Sequence, residues 1–450
     1  ERVTLFETQR SAYSRYQAVL IAQNQVEAAL ERSEQGRARI FAEQLSANLT
    51  AGRSPSIPPA PSIQTIRQIA RQQNATLVEY SLIADELNRQ QDLYIWVVSP
   101  DGAVNFRQVT LAEGDDFSAT ADPLTALVDQ TRGAVGAGTR GLGVVATTAV
   151  RGQPETAGYR ELHDRLITPI ADLLPQNPSD RVVIIPQGSL FQVPFPALKR
   201  ADGSDLIDHH TLVTAPSIQV LGLAQQARDR RPTHRDEVLI VGNPTMPAIW
   251  SPQQQTRQPL PTLPGAQQEA SAIADLFNTQ PLLGNAATER RIKQAASTAR
   301  LIHFATHGLL EYGSPQDSGF RDLPGALALA PGEGEDGLLT AAEILELSLG
   351  AELVVLSACD TGLGRITGDG VVGLSRSPMT AGVPSVIVTL WAIPDAPTAD
   401  LMVEFYRQLS QTQDNAQSLR QAMLKTREQY PHPRNWAAFT LVGLPDSPPR

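Results

Sequence analysis

The sequence predicts an α/β fold, a three-layer sandwich in which helices cover a mostly parallel β-sheet. From Tyr159 onward, short apolar runs typical of strands alternate with segments typical of helices. Two stretches, residues 301–308 (LIHFATHG) and 351–362 (AELVVLSACDTG), each contain a short, mostly apolar run without alternation, which in the second stretch is Leu353–Ser357. Such runs suit parallel strands that are buried on both faces.

The composition is that of an ordinary globular protein. Its 450 residues, 41% hydrophobic and 19% charged, are enough for two or three domains. A net charge of −10 argues against a nucleic-acid partner, which needs a basic surface. A single cysteine permits no intrachain disulfide, so we expect a cytoplasmic location. No apolar run approaches the roughly 20 residues that span a bilayer, so no membrane partner is expected. Because the chain begins at Glu1, we expect it to be a fragment.

The N-terminal residues, 1–50, are predicted to be a helical segment. Residues 6–47 contain no proline and carry an apolar stripe among Ala, Gln, Glu and Arg, with an interruption at Gly36. The segment could be the last unit of a helical repeat array or a helical hairpin that docks on the next domain. A proline-rich stretch at 54–62 (SPSIPPAPS) marks a boundary after it.

Residues 51–158 are predicted to form a small α/β module with its linkers. The pattern indicates helices at 63–74 and 122–132 and strands at 76–83, 93–98 and 103–110, with a loose connection at 133–158. Beyond it, helices are expected at 159–174, 217–228, 266–277, 288–298, 340–347, 370–381, 398–410 and 415–429. Strands are expected at 181–185, 237–241, 385–390 and 438–442, in addition to the two long apolar runs.

Each of the two apolar runs ends in a residue suited to nucleophilic catalysis. The first ends in His307 and Gly308, and the second runs into Cys359, the only cysteine. If the strands are neighbours in a parallel sheet, their carboxyl ends bring imidazole and thiol to the edge where α/β proteins bind ligands. A free thiol titrates near about 8.5, so a nucleophilic cysteine needs a neighbour that removes its proton. The pattern therefore predicts acyl transfer, with backbone amides of Gly308 and Cys359 as oxyanion donors.

Alternatives exist for both residues. A lone buried cysteine is often only a small hydrophobe. His303 could also be the base, but it lies inside the apolar run and is interpreted as an interior histidine. The sequence has no CxxC or HExxH spacing and no complete dinucleotide-binding glycine pattern, so we predict neither a metal nor a cofactor. The remaining histidines are interpreted as surface residues: His163, His209, His210, His234 and His432.

The segments HFATHG and LSACDTG resemble those of the CHAT domain, a caspase-like module often attached to tetratricopeptide repeats in bacteria. The family is related to caspases, metacaspases, separases and gingipains. The resemblance implies a sheet whose first half, 159–299, lacks the catalytic pair and supports a catalytic half, 300–450. It makes His307 the base or charge partner and Cys359 the nucleophile. Further similar segments are 184–198, 263–290, 368–376, 381–391 and 395–406, and SEQGRARIFAEQL is similar to the end of a repeat region.

The resemblance also implies cleavage after a basic P1 residue, because relatives outside the caspases hold that side chain with an acid. Asp395 is the first candidate for this acid, Asp369 in the cysteine loop is the second, and Asp360 beside the cysteine is the third. Asp395 could instead cap a helix. Specificity for an acidic P1 residue would need an arginine, which Arg365 or Arg376 could supply.

Two functions from different classes follow. The first is a cysteine endopeptidase with a protein or peptide substrate, latent until a partner or ligand orders the loop 360–369, with a regulatory protein on the N-terminal helices. The second is a scaffold or signalling module in which the caspase-like fold binds protein partners and the pair is weak or idle. The presence of both catalytic residue types favours the enzyme.

Overall fold

The structure, a computed structural model, describes residues 2–37, 39–49, 58–85, 89–113, 123–136, 156–230, 237–251, 256–309, 325–358, 361–362, 365–367 and 370–446. Contacts divide the chain into two units. The first contains Glu1–Leu223 and Ile366–Gly370, and the second contains Ala224–Arg365 and Val371–Arg450. The predicted division into four parts stays a prediction. None of the described helices is long and apolar enough to cross a membrane.

The first unit begins with three helices, α1 (Arg2–Ala22), α2 (Val26–Gln35) and α3 (Arg39–Leu49). The predicted interruption at Gly36 is confirmed. A further break precedes α2, where Asn24 has a φ of 58°. Asparagine tolerates this left-handed conformation better than most residues, so it ends α1 at little cost.

The helices and strands after α3 include a mixed group of five strands, in the order β3-β2-β1-β4-β5. Strands β1, β2 and β3 form an antiparallel meander, whereas β4 runs parallel to both of its neighbours. The strand β5 was not predicted, and the predicted helix 159–174 is wrong after Leu166, where a 3₁₀ helix, Thr168–Leu173, replaces it. Pro169 lies in its first turn and has no N–H to continue an α-helix. The elements after α3 are α4 (Ile63–Gln73), β1 (Ala75–Asp85), β2 (Gln90–Val98), β3 (Val104–Glu113), α5 (Pro123–Ala134), α6 (Ala157–Leu166), β4 (Arg181–Ile185), α7 (Leu206–His209), β5 (Thr211–Thr214) and α8 (Ile218–Asp229).

The six strands of the large sheet that lie in the second unit have the order β18-β17-β14-β10-β6-β9, and each neighbouring pair in this order is parallel except β17 with β18. All five residues of β10, β14 and β17 are buried, so both faces of the sheet are covered. The predicted α/β class with a mostly parallel sheet is confirmed. The elements after α8, in chain order, are β6 (Val238–Pro244), β7 (Ala248–Ser251), β8 (Thr256–Pro259), α9 (Pro264–Leu276), β9 (Leu282–Gly284), α10 (Glu289–Ala296), β10 (Leu301–Ala305), β11 (Gly308–Leu309), β12 (Ala326–Ala328), β13 (Leu338–Thr340), α11 (Ala341–Glu346), β14 (Leu353–Ser357), β15 (Arg365–Thr367), β16 (Gly370–Val372), α12 (Arg376–Thr380), β17 (Ser385–Thr389), α13 (Asp395–Thr412), α14 (Asn415–Gln429) and β18 (Phe439–Gly443).

The order of the strands creates a switch point between β6 and β10. The chain passes from β6 to β9 on one side and then returns to place β10 on the other side of β6. Connections that leave neighbouring strands in opposite directions open a crevice at the carboxyl edge of the sheet, where such folds bind ligands. The predicted helix 370–381 is wrong in its first half. A short strand, β16, stands there, because Val371 and Val372 between glycines favour extended backbone.

Two buried charged side chains, one on α2 and one just after it, anchor the N-terminal helices to the rest of the first unit. Glu34 on α2 is fully buried, and its carboxylate accepts the N–H groups of Ile218 and Gln219, each at 2.9 Å. These amides belong to the first turn of α8 and have no partner within that helix. Burial, followed by the nearby charge of Glu79, raises the pKa of Glu34 well above its usual range.

Arg37, just after α2, is the second of these groups. It donates to the carbonyl oxygens of Pro186, at 2.9 Å, and Tyr80, and its Nε lies 2.9 Å from the Glu79 carboxylate. A buried guanidinium with carbonyl and carboxylate partners is costly to separate from them. The N-terminal helices are therefore integral to the packing of this unit.

Replacing Glu34 with glutamine should lower the free energy of unfolding, but by less than loss of the whole side chain does, because the amide oxygen still accepts one of the two N–H groups while the NH2 group faces the other. Glu34→Ala should cost about 1–3 kcal/mol, since it leaves buried N–H groups unpaired. The raised pKa means that the unfolded chain ionises first, so the wild type should lose stability as the pH rises above the ordinary carboxyl range.

Urea unfolding at a series of pH values, from the ordinary carboxyl range upward, measures this slope. Glu27→Gln, at a half-exposed residue of the same helix, is the control. The substitution Glu34→Gln should flatten the slope, and Glu27→Gln should not. An unchanged slope in Glu34→Gln would contradict the account of this carboxylate.

Candidate active site

The two strands that carry the predicted catalytic residues are neighbours. Strands β10 and β14 pair in parallel, in a register that runs from Leu301↔Leu353 to Ala305↔Ser357. His307 follows the last paired residue of β10 by two positions, and Cys359 follows that of β14 by two positions. The structure describes the chain to Ala358 and again from Thr361, so Cys359 and Asp360 lie outside the described residues.

The imidazole of His307 is held by a backbone carbonyl. Its Nε2 lies 2.8 Å from the oxygen of Pro261. A carbonyl oxygen can only accept, so Nε2 carries the proton of this hydrogen bond. The other ring nitrogen, Nδ1, is then the one that can take up a proton. The Pro261 carbonyl thus orients the imidazole in the way that a third group orients a general base.

Pro261 belongs to the connection that follows β6, on the far side of the switch point. The hairpin β7–β8 precedes it, closed by the hydrogen bond of 3.1 Å from Leu260 N–H to the Pro247 oxygen. After it, the Leu263 N–H donates to Asn243 Oδ1 at 2.8 Å. Pro261 therefore lies between two anchored points. Sequence reasoning missed its role, because any residue type offers a carbonyl and no side-chain pattern marks this one.

The amide of Gly308, a predicted oxyanion donor, points away from its paired strand. Strand β11 pairs with β12 at Gly308↔Leu327, and the Ala328 N–H donates to the His307 oxygen at 2.9 Å. In an antiparallel ladder this bond makes Gly308 and Leu327 a non-hydrogen-bonded pair. The Gly308 N–H thus faces outward next to His307, as an oxyanion donor requires.

His303 is excluded as the base. It is fully buried, its Nε2 lies 3.0 Å from Glu269 on α9, and its Nδ1 lies 3.0 Å from the hydroxyl of Tyr406 on α13. Burial, followed by the charge of Glu269, raises the pKa of Tyr406 well above its usual range, so the phenol stays protonated and can donate. Both ring nitrogens are in use, and the prediction of an interior histidine is confirmed.

The candidate acids are placed only in part. Asp395 is exposed and is the first residue of α13, and Pro394 occupies the N-cap position. The alternative that Asp395 caps this helix is therefore wrong. A Cβ at Gly265 would lie 2.3 Å from the Cβ of Asp395, so the acid packs against the start of α9, four residues after Pro261. Asp369 lies outside the described residues, as does Asp360.

The two arginines considered for an acidic P1 residue differ. Arg376 is buried at the start of α12, with 6% exposure, which leaves little of its side chain for a substrate. Arg365 is the first residue of β15, and its side chain is not among those described.

Two histidines that were predicted to lie at the surface are buried, and the prediction is wrong for them. His163 and His210 have 7% and 6% exposure. Both belong to the first unit, whereas the strands that carry the candidate pair belong to the second. The Nδ1 of His163 lies 3.2 Å from Thr168 Oγ1, and burial lowers the pKa of this histidine. Polar residues lie next to both histidines in the sequence, so the local sequence gives no indication that the two side chains are buried in the fold.

One group of three carboxylates in the described part of the chain lies close enough together to hold a metal ion: Glu289, Glu335 and Glu343, within 4.8 Å of one another. The ammonium of Lys293 already lies among them, at 2.6 Å from Glu289, 3.5 Å from Glu335 and 2.9 Å from Glu343. It supplies the positive charge that a cation would bring. The cluster joins α10 to the segment before β13 and to α11.

Both strands that carry the predicted catalytic residues lie in a part of the chain that matches a known protein family. Residues 156–444 match the family described as CHAT domain. Tetratricopeptide repeat protein 28 of Mus musculus is 26% identical, over 98% of this chain and 22% of that protein. The protein of the same name from Homo sapiens is 25% identical, with the same coverage of each chain. The chain therefore spans less than a quarter of the length of these relatives.

Among solved structures, a Saccharomyces cerevisiae separase–securin complex matches with a TM-score of 0.53 and 10% identity, over 95% of this chain and 34% of that one. The Arg-specific cysteine proteinase gingipain R matches with a TM-score of 0.41 and 12% identity, over 73% of this chain and 75% of that one. At 10% identity the likeness to separase shows the fold alone. The predicted caspase-like fold is confirmed.

Removing the hydroxyl of Tyr406 tests the buried hydrogen bond between Tyr406 and His303, which lies four residues before His307 on the same segment. Tyr406→Phe leaves His303 Nδ1 buried without a donor, which should lower the free energy of unfolding by about 1–3 kcal/mol. Tyr430→Phe is the matched control, because its exposed hydroxyl binds Asp400 at 3.1 Å. The loss of that exposed contact should cost about 0.5 kcal/mol or less. Equal losses in urea unfolding would contradict the proposed strength of the buried contact.

Proposed function

The chain belongs to the CHAT domain family, and we propose that it is a caspase-like cysteine endopeptidase in which His307 and Cys359 form the catalytic pair. The observation that carries the proposal is the parallel register of β10 and β14, since the two residues follow the last register pair by the same number of positions. The hydrogen bond between His307 and Pro261 supports it, because it leaves Nδ1 as the proton acceptor.

In the proposed reaction, His307 Nδ1 takes the thiol proton and the sulfur of Cys359 attacks the carbonyl carbon of the scissile peptide. The tetrahedral oxyanion is stabilised by the outward N–H of Gly308, with the Cys359 amide as second donor. Collapse breaks the C–N bond as the imidazolium gives its proton to the leaving amine. Water then attacks the thioester with His307 as base, which releases the carboxylic acid and returns the thiol. The chemistry needs no cofactor.

We assign a preference for basic P1 residues to an acidic pocket, with Asp395 as its first candidate and Asp369 and Asp360 as the others. Asp395 fits because it is exposed, lies at the N-terminal end of α13 and packs beside the start of α9. A carboxylate can bind the guanidinium or ammonium group of a basic residue through charge-assisted hydrogen bonds.

A protein partner that acts through the N-terminal helices is part of the proposal. Glu34 and Arg37 tie α2 into the first unit through buried contacts, so a partner on these helices would hold a rigid part of the molecule. Tyr16 and Val19 on α1 are 47% and 51% exposed and give such a partner an apolar contact. The separase of similar fold was solved in complex with securin.

Fluorogenic peptides that end in Arg or Lys test the enzyme directly. The wild type should cleave them, Cys359→Ala should not, and His307→Ala should lose about 10²–10⁴-fold in rate. His432→Ala, at a partly exposed histidine of the same unit, is the matched control and should retain activity. Cleavage that survives Cys359→Ala would exclude the nucleophile. No cleavage of peptides or denatured proteins by the wild type would favour the scaffold.

The acid candidate is tested by substrate preference. Asp395→Asn should lower kcat/KM for Arg and Lys peptides by about 10–100-fold, the worth of a hydrogen bond to a charged group, and should leave neutral peptides nearly unchanged. Asp400→Asn, at an exposed acid of the same helix, should keep the wild-type preference. Equal losses for basic and neutral peptides in Asp395→Asn would contradict a charge-specific pocket.

A further inference from the structure

Four hydrogen bonds join the residues around the cysteine loop to Thr389 at the end of β17, and a fifth joins Thr361 to β14. The hydroxyls of Thr361 and Thr389 donate to the carbonyl oxygens of Leu356, at 3.1 Å, and Ala358. The Thr361 N–H donates to Thr389 Oγ1 at 3.3 Å, and the Thr389 N–H donates to Thr361 Oγ1 at 3.1 Å. The Gly362 N–H donates to the Thr389 oxygen at 2.7 Å.

These bonds use all the hydrogens that the two hydroxyls offer. A threonine hydroxyl has one hydrogen and two lone pairs. Each hydroxyl gives its hydrogen to a carbonyl on β14 or just after it, and each accepts the backbone N–H of the other threonine. The two oxygens, 3.3 Å apart, are therefore held by reciprocal backbone bonds. Thr361 and Thr389 have 0% and 3% exposure, so water does not compete for these groups.

The threonine contacts take the place of backbone hydrogen bonds between β14 and β17 at the point where the chain leaves the sheet. Strand β14 pairs with β17 only as far as Val355↔Ile387, whereas its pairing with β10 continues to Ala305↔Ser357. Beyond Val355 the carbonyls on the β17 side therefore bind threonine hydroxyls. Ala358 and Thr361, the described residues on either side of Cys359 and Asp360, are both fastened to Thr389.

Close packing at Gly362 adds to this constraint. A Cβ there would lie 2.9 Å from the Thr389 oxygen and 3.0 Å from Val388 Cγ2. Glycine is required because the backbone approaches β17 closely enough to form the short amide bond. The spacing of the motif CDTG thus has a physical reason, with a threonine two residues after the cysteine and a glycine directly after the threonine.

We propose that Thr361 and Thr389 form a hydroxyl clamp that positions the Cys359 thiol for reaction with His307. The inference rests on the proposed function. Neither threonine is assigned contact with the substrate, so both are positioning residues. The clamp fixes the backbone at both ends of a two-residue segment, and errors of about 1 Å in the placement of a nucleophile can cost about 10²-fold in rate.

The test compares Thr389→Val and Thr361→Val with the corresponding Ser variants. Valine keeps the shape of threonine but removes the hydroxyl, whereas serine keeps all the hydrogen bonds. Thr426→Val is the matched control, because Thr426 is also buried and its hydroxyl donates to the Ala422 oxygen at 2.8 Å on α14. Thermal unfolding and near-UV circular dichroism establish that each variant is folded.

Two readouts separate positioning from stability. The rate of iodoacetamide alkylation of Cys359 against pH needs no substrate, and kcat and KM are measured with a peptide that the wild type cleaves. The Val variants should move the alkylation profile toward that of an ordinary thiol and lower kcat about 10–100-fold with little change in KM. The Ser variants and Thr426→Val should retain both values.

The outcomes distinguish the clamp from the function on which it rests. Val variants that are folded and keep the wild-type alkylation profile and kcat would overturn the clamp, while the catalytic pair would stand. A wild type that cleaves nothing but shows a shifted alkylation profile, lost in the Val variants, would overturn the peptidase and support the clamp. Loss in the Ser variants as well as in the Val variants would also overturn the clamp, because their hydroxyls are intact.

Discussion

The parallel pairing of β10 with β14 is the constraint on which the candidate site depends. Side chains alternate across a strand, so a slip of one residue would turn every side chain of β10 to the opposite face. His303 would then lose its two buried polar partners, Glu269 and Tyr406. The cost of an unpaired buried histidine opposes such a slip. A side chain without a catalytic role thus helps to set where His307 leaves the sheet.

Besides the strand register, two backbone groups determine the geometry of the candidate site. The carbonyl of Pro261 selects the tautomer of His307, and the ladder between β11 and β12 turns the Gly308 amide outward. Both effects come from segments that leave the carboxyl edge of the sheet near the switch point. Since backbone groups are fixed by the fold rather than by residue type, the orientation of these two groups does not depend on a substrate, and the proposed stabilisation of a transition state requires such fixed groups.

Patterns within a single segment were sufficient for much of the fold. The strands Arg181–Ile185 and Leu353–Ser357 and the helix Asn415–Gln429 have the predicted bounds, because continuous apolar runs and uninterrupted helix formers define them locally. The hairpin β7–β8 could not be found in this way. Its second strand, Thr256–Pro259, is exposed throughout and has neither an apolar run nor an alternating pattern.

The candidate site was predictable where the chemistry belongs to side chains. Cysteine and histidine at two strand ends are rare enough to be noticed in the sequence. Pro261 and Thr389 were missed, because each acts through a contact with residues far away in the chain, and nothing in their own neighbourhood signals it. Asp395 was found by resemblance, but whether it caps its helix depended on the helix start, which lies at Asp395, three residues before the predicted start at 398.

Covalent trapping with a peptide electrophile is the most direct measurement of the central claim, that one thiol and one imidazole act together on a peptide carbonyl. A chloromethyl ketone that ends in arginine should add to the wild type once, at Cys359, as seen by intact mass and peptide mapping. Labelling should fall sharply in His307→Ala and remain in His432→Ala. Equal labelling of the wild type and His307→Ala, or an adduct on another residue, would contradict the account.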